Sequence, residues 1–341
     1  MPAATYVGNN TISVVDSSQS NPLAGEVQID VAFTGICGTD LHILHGSMDS
    51  RVSLPAIIGH EMSGRISKIG PGVTGWKKGD HVTVMPLDPC GQCPACQAGH
   101  QHICHNLNFI GIDSPGSLQA QWNVSEKAVI RLPESLRLDH AALVEPVAVA
   151  VHDVRRADLR TGEKTVVIGG GPIGVLIATV ARHAGAEVVV LELDSGRRRM
   201  IQELGIEVLD PSAIDAAEWV DTWTNGAGAD VVFEVSGAAA AVLSATALAK
   251  VRGRLVVVAI HPTPRPVDLQ RVFWRELTIL GARVYERHDF ETAIELLTEG
   301  VIPAAELITE VVPLAKAPEA FSRLASGSAM KVLVDCQRVP E

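Results

Sequence analysis

The sequence has no run of lysine and arginine that could follow a phosphate backbone, and its 28 Lys+Arg against 39 Asp+Glu leave a formal net charge of -11. Nucleic acid is therefore not an expected partner. Nowhere do about 18 apolar residues follow one another, so no membrane-spanning helix is expected. The first ten residues lack a basic stretch leading into an apolar core, the mark of an export signal, and the expected location is cytoplasmic. There is no internal repeat of fixed period and no low-complexity tract. What is present is a chain of 341 residues, 47% hydrophobic and 20% charged, long enough to bury a substantial core. At roughly 100–200 residues per domain, that length suggests two domains.

Only six residues are cysteine, and four of them, Cys90, Cys93, Cys96 and Cys104, fall within one 15-residue stretch. In a chain without an export signal, such clustering reads as metal binding sooner than as a disulfide framework. Four thiolates complete a tetrahedral zinc and leave no open position for a substrate, which marks a structural site. His100, His102 and His105 lie nearby and read as surface imidazoles.

The first third of the chain alternates short strand candidates, Glu26 to Ala32, Ser63 to Ile69 and His81 to Met85, with Gly and Pro punctuation, a pattern that suggests a compact β-barrel-like domain. An apolar helical stretch follows from His140 to Val154. After it come strand candidates at Thr165 to Ile168, Glu187 to Glu192, Glu207 to Leu209, Val231 to Val235, Leu255 to Ile260 and Leu277 to Leu280. Helices are expected between them, including Pro172 to His183 and Ala238 to Lys250. This alternation predicts an α/β domain, a doubly wound parallel sheet with helices on both faces. The chain then returns to helices at Phe290 to Leu297 and Ala317 to Leu324 and to a last strand at Lys331 to Asp335. The simplest layout inserts the α/β domain, residues 148–280, into a β-rich domain built from residues 1–147 and 281–341.

Val166, Val167 and Ile168 lead into Gly169-Gly170-Gly171-Pro172-Ile173-Gly174, the G-x-G-x-x-G spacing at a strand-to-helix junction. Gly169 permits the tight turn, Gly171 lets the backbone approach a pyrophosphate, and Gly174 lets the helix pack closely on the sheet. The next strand ends in Glu192, 18 residues past Gly174, where an acid can hold the hydroxyls of an adenosine ribose. A carboxylate there repels the 2′-phosphate of NADP, so NAD is the expected cofactor, with Arg197 covering the adenine. Arg197, Arg198 and Arg199 are the residues that could favour NADP instead.

Further metal-ligating types are dispersed. Cys37-Gly38-Thr39-Asp40-Leu41-His42 offers a thiol, a hydroxyl and an imidazole, Gly59-His60-Glu61 adds an imidazole and a carboxylate, and Glu145 precedes Pro146 at the start of the apolar helix. From spacing alone each is ordinary.

Taken together, these segments resemble the zinc-dependent medium-chain alcohol dehydrogenases, in the polyol and vicinal-diol branch that includes sorbitol, xylitol and 2,3-butanediol dehydrogenases. The resemblance is carried by Gly35 to His42, by Gly59 to Gly64 continuing to Gly70 and Val73, by the four-cysteine loop and by Val144-Glu145-Pro146. The Gly169 to Gly174 turn and Tyr285 ahead of Asp289-Phe290-Glu291 complete it, in family order over nearly the whole chain. It implies a GroES-like barrel as the β-rich catalytic domain and two zinc ions per chain, one structural and one catalytic. Cys37, His60 and Glu61 match ligands of the catalytic zinc, although in related enzymes the glutamate matching Glu61 stays just outside the ligand set. Glu145 matches a carboxylate that coordinates the metal or holds the water beside it. Thr39 matches the hydroxyl that takes the alcohol proton, and His42 the imidazole that passes it on. Val284 stands where animal sorbitol dehydrogenases carry arginine, which removes a charged anchor for sorbitol.

Oxidising a secondary alcohol removes a proton and a hydride from one carbinol, so an open zinc position and a nicotinamide are the minimum apparatus. The expected activity is reversible oxidation of a vicinal diol, polyol or sugar alcohol to a ketone with NAD. Two alternatives are a threonine 3-dehydrogenase-like enzyme, disfavoured because those usually carry Asp where Glu145 stands, and a non-enzymatic zinc protein of the same fold. Keeping Cys37, Thr39, His42, His60 and Glu61 together argues against the last. Phe109 and Trp122 are candidate pocket walls beside Tyr285. The expected partner is a small-molecule alcohol, and the expected assembly a homodimer or homotetramer paired through the edge strand Leu277 to Leu280.

Overall fold

Glycine and proline interrupt the first third so often that, among the described residues before 140, no α-helix exceeds the seven residues of Gly38–Leu44. The chain there is built from strands. A computed structural model describes residues 1–17, 20–325, 327 and 329–338. It divides into two units, Met1–Glu145 with Glu286–Glu341, and Pro146–Tyr285. These joins stand at 145/146 and 285/286, where the sequence suggested 147/148 and 280/281.

In the first unit the ten-residue strand Glu26–Gly35 is the centre of a seven-stranded sheet. Its Val27, Ile29 and Val31 are fully buried. It pairs antiparallel with Glu61–Ile69, with Gln121–Ser125 and with the C-terminal strand Lys331–Asp335. Register decides what meets at its end. Gly35 lies opposite Glu61 on one side and Leu333 on the other, so residues just after Gly35 are carried beside His60, Glu61 and Lys331. Two register shifts within the Glu26–Gly35 and Glu61–Ile69 pair bend the sheet. A smaller sheet joins Ile12–Asp16, Pro2–Tyr6 and Ala56–Ile57.

The second unit holds six parallel strands in the order Glu207–Leu209, Glu187–Leu191, Lys164–Ile168, Ala229–Glu234, Ala249–Val257 and Thr278–Gly281. This is the doubly wound order, with the reversal of direction beside Lys164–Ile168. The strands read as near-continuous apolar runs because both faces are covered; Val166, Val189, Val231 and Val232 are fully buried.

Two elements differ from expectation. The apolar stretch from His140 is two helices, Leu138–Ala141 and Val144–Arg156. Pro146 has no N–H for the carbonyl four residues back, so it is tolerated only in the first turn of a helix that restarts at Val144. The helix expected to reach Lys250 ends at Leu248, because Ala249 pairs with Ala229 and opens the strand Ala249–Val257. No helix among the described residues is long and apolar enough to cross a membrane.

Candidate active site and metal centres

The four cysteines of the loop converge. Their sulfurs lie within 4.8 Å of one another, with Cys104 Sγ 3.5 Å from Cys90 Sγ and 3.8 Å from Cys93 Sγ. Backbone N–H groups point at them: Cys90 N and Asn106 N toward Cys104 Sγ at 3.4 and 3.3 Å, and His105 N toward Cys93 Sγ at 3.5 Å. Backbone N–H groups of Cys96 and His105 pull the Cys93 thiol down to about 6, while burial and the neighbouring thiols push Cys96 up to about 12. Four convergent sulfurs wrapped in N–H donors fit a zinc ion that is fully enclosed by protein ligands. His102 faces Glu286 at 3.7 Å and takes no part.

The dispersed group also assembles. One ligand atom each from Cys37, His60 and Glu61 lies within 4.8 Å of the others. Cys37 precedes the helix Gly38–Leu44, and Asp40 in its first turn accepts from Cys37 N at 2.9 Å. The other oxygen of the fully buried Asp40 faces His60 Nδ1 at 3.7 Å. Burial alone would lower the His60 pKa, but the charges of Asp40 and Cys37 raise it well above its ordinary value. A sulfur, an imidazole nitrogen and a carboxylate suit zinc. Burial, and then the Glu61 charge, push the Cys37 thiol up when no cation stands beside it. Phe109 fixes the His60 ring edge-on, with centroids 5.3 Å apart.

Glu145 lies outside this triplet, in the first turn of Val144–Arg156 and 5% exposed; its charge reaches both His60 and Lys331. Thr39 is half-buried and His42 exposed, three residues apart on one short helix and so on adjacent turns of one face. Trp122 is buried and donates to the Pro115 carbonyl at 3.1 Å. Tyr285, at the end of the second unit, is fully buried.

Sequence reasoning passed over Lys331. Only 4% exposed, its ammonium donates to both Glu61 oxygens, at 2.9 and 2.7 Å, and to the Ile36 carbonyl at 3.3 Å. Burial would lower its pKa, yet Glu61 and Cys37 raise it. A lysine opening an apolar strand looks like a solvated end; the available signal was the strand's fit beside Glu26–Gly35.

In the second unit Gly169 has φ +106, a turn that favours glycine. A methyl on Gly174 would strike the Gly169 carbonyl, whereas one on Gly171 would meet nothing nearer than Arg197 Nη1 at 3.9 Å. Gly174 thus serves close packing, and Gly171 leaves open space at the start of the twelve-residue helix Pro172–His183. Pro172 occupies the first helical turn and Ile173 beside it is half-buried. That open helix N-terminus fits a pyrophosphate. Glu192 is 8% exposed and accepts from Gly170 N and Asp194 N, each at 2.7 Å, which fixes its carboxylate at the strand end. Arg197 Nη1 stands 3.9 Å from it. Arg198 is engaged with Asp210 at 2.9 Å and with the Glu192 carbonyl, and Arg199 is exposed.

Residues 23–134 match the alcohol dehydrogenase GroES-like domain and residues 172–299 the zinc-binding dehydrogenase domain. The chain is 52% identical, over 98% of its length and 99% of the relative's, to a 2-dehydro-3-deoxy-L-galactonate 5-dehydrogenase of Pseudoalteromonas atlantica. It is 34% identical to an (R,R)-butanediol dehydrogenase of Neisseria gonorrhoeae, over 98% of this chain and 99% of that one. A zinc-binding dehydrogenase of Sinorhizobium meliloti, solved with NADP, superposes with a TM-score of 0.93 at 32% identity, covering 98% of each chain. The chain therefore belongs to the zinc-dependent medium-chain alcohol dehydrogenases, in their polyol dehydrogenase branch.

Proposed function

We propose that this chain oxidises the C5 hydroxyl of 2-dehydro-3-deoxy-L-galactonate, or of a close sugar-acid relative, to a ketone with NAD. The observation that carries the substrate is the 52% identity with an enzyme of that name over nearly the full length of both chains. By its name that compound carries hydroxyls on C4, C5 and C6, so the reacting carbon sits within a vicinal diol. It thus stays within the class the sequence suggested and narrows it to an acid. The fixed Glu192 carboxylate supports NAD, since it offers acceptors to two ribose hydroxyls and repulsion to a 2′-phosphate.

A zinc ion would be held by Cys37 and His60 with Glu145 or Glu61, and it would supply the Lewis acidity that makes a secondary alcohol acidic near neutral pH. Thr39 accepts the alcohol proton at its hydroxyl, and His42, exposed one turn further along the same helix, hands it to solvent. Asp40 faces His60 Nδ1 at 3.7 Å, and Phe109 packs edge-on against the ring. A bound NAD would supply the hydride acceptor for the carbinol carbon, so that alcohol and oxidised cofactor would give ketone, reduced cofactor and one proton.

Assays of the zinc-loaded protein with the sugar acid, 2,3-butanediol, sorbitol, xylitol and L-threonine, each with NAD and NADP, test this reading. The highest kcat/KM is expected for the sugar acid with NAD. Faster oxidation of butanediol or threonine would overturn the substrate, and NADP preference the cofactor.

The assembly we propose is a homo-oligomer. Thr278–Gly281 is the edge of the six-stranded sheet, with Ile279 41% exposed, and the neighbouring helix Leu269–Arg275 shows Leu269, Phe273 and Trp274 more than 70% exposed. An open apolar edge beside exposed aromatics, Phe273 and Trp274 packed edge-to-face, suits a second copy of the same edge. Light scattering should give a mass of at least two chains, and Phe273→Lys with Trp274→Lys should shift it to one; a wild-type monomer contradicts the proposal.

A further inference from the structure

One carboxylate fixes the loop that leaves the strand Ala249–Val257. Glu234 ends the neighbouring strand and is 1% exposed. Its backbone carbonyl accepts from Val258 N at 3.0 Å and Ala259 N at 3.1 Å. Its Oε1 accepts from Ser236 N, Ser236 Oγ and Gly237 N at 3.0, 2.7 and 2.9 Å, and Oε2 stands 3.1 Å from His261 Nε2. From there the chain runs His261-Pro262-Thr263-Pro264-Arg265-Pro266. Each proline locks its own φ and restricts the residue before it, so Arg265 is carried on a stiff segment.

Arg265 is half-buried, yet among the described residues it has neither a hydrogen bond nor an ion pair, and its Nε is closed off from solvent with no acceptor. Every other half-buried arginine has a partner: Arg197 has Glu192, Arg198 has Asp210, Arg254 has Glu163 and Arg275 has the Ala249 carbonyl. The nearest acid along the chain, Asp268, is engaged by Arg271, whose Nε lies 3.3 Å away. His261 Nδ1, four residues earlier, is likewise buried without a partner. Withdrawing a guanidinium from water with no counter-charge costs free energy, so Arg265 calls for an anion from outside the chain. Its place in the fold narrows which one. A methyl on Gly169 would come within 3.1 Å of Ser236, so the loop after Glu234 abuts the glycine turn, while Glu192 lies on the opposite side of the strand Lys164–Ile168. A dinucleotide that crosses this reversal of strand order with its adenosine ribose at Glu192 turns its nicotinamide half toward the Arg265 side.

We propose that Arg265 is a specificity-determining residue whose guanidinium pairs with the carboxylate of an acidic substrate, on a loop that Glu234 and His261 hold in place. This deepens the sugar-acid reading and rests on it. A planar guanidinium matches a carboxylate with two parallel N–H donors, whereas a neutral polyol leaves its charge unpaired.

The test uses the zinc-loaded protein and reads KM and kcat for 2-dehydro-3-deoxy-L-galactonate, the calorimetric Kd of that acid for the NADH-saturated protein, and the Kd of NADH itself, with thermal unfolding to confirm the fold. Arg265→Met should raise KM and Kd for the acid about tenfold to a hundredfold, as expected for hydrogen bonds to a charged group, while kcat changes little. The Kd of NADH, and KM for whichever neutral polyol the wild type oxidises fastest, should stay at wild-type values. Arg265→Lys, which keeps the charge without the fork, should recover part of the loss. Arg252→Gln, which removes an exposed arginine paired with Glu276 at 2.7 Å, controls for net charge and should leave the acid's KM unchanged. Should Arg265→Met fail to fold, Arg265→Gln takes its place with the same expectation. Unchanged KM and Kd for the acid in a folded variant overturn the proposal, as does an equal loss for acid and neutral polyol. A rise confined to the Kd of NADH assigns the anion to the cofactor phosphates and overturns it as well. A wild-type protein that oxidises neutral polyols faster than the acid, a result obtained before any variant is made, would instead overturn the substrate reading beneath it.

Discussion

Replacing Glu192 with serine probes the cofactor reading where the structure is most specific. The carboxylate is held by two N–H donors, Gly170 and Asp194, and keeps lone pairs for the two ribose hydroxyls of NAD. Hydrogen bonds to a charged group contribute roughly 1.5–3 kcal/mol each. Water refills part of the space left by the side chain, so the net loss is nearer about 3 kcal/mol than the full pair of bonds. At 1.4 kcal/mol per factor of ten, kcat/KM for NAD should fall by about a hundredfold. With NADP the change has the opposite sign or is negligible, because a like charge facing the 2′-phosphate disappears and Arg197, 3.9 Å from Glu192, is released toward it. Gly170 N and Asp194 N lose their acceptor as well, so a thermal melt must accompany the kinetics. Glu192→Gln serves as the control of similar size, and its NAD loss should be the smaller. Steady-state kinetics with both cofactors decide the matter. A wild-type enzyme that already prefers NADP, or a serine variant that loses both cofactors equally, refutes the reasoning.

Other expectations follow from the two metal centres and from the short helix beside them. Brief chelation should remove one zinc and the activity together, leaving the zinc enclosed by Cys90, Cys93, Cys96 and Cys104 and a folded protein by circular dichroism; one zinc lost with activity intact would contradict the assignment. Thr39→Val should nearly abolish turnover while metal content stays at the wild-type value. His42→Gln should cost about tenfold to a hundredfold, since water partly replaces an exposed imidazole. A Thr39→Val enzyme with near-normal turnover would remove the relay.

The four-cysteine loop and the Gly169 to Gly174 turn could be read directly because every participant lies within one short segment, where spacing alone carries the geometry. Cys37 and His60 are 23 positions apart, and what joins them is the register that sets Gly35 opposite Glu61. No periodicity encodes that register; only the resemblance brought those residues together. Lys331 escaped because its partner lies 270 residues earlier, and its burial depends on a C-terminal strand returning beside Gly35. The hairpin Pro2–Tyr6 with Ile12–Asp16 was missed although Gly8, Asn9 and Asn10, all with positive φ, spell its turn. The helix Ala216–Trp223 was likewise announced by Asp215, which caps the N–H groups of Ala217 and Glu218. The strand order of the second unit needed no such signal, since alternating strands and helices with right-handed crossovers leave few arrangements.

Transfer of a labelled hydride tests the central claim most directly. The zinc-loaded protein, given 2-dehydro-3-deoxy-L-galactonate carrying deuterium on C5 and NAD in ordinary water, should yield reduced cofactor bearing one deuterium per molecule of ketone formed, read by mass spectrometry. Ketone or other product appearing without deuterium in the cofactor, or no reduced cofactor from this or any polyol of the panel, would contradict the account.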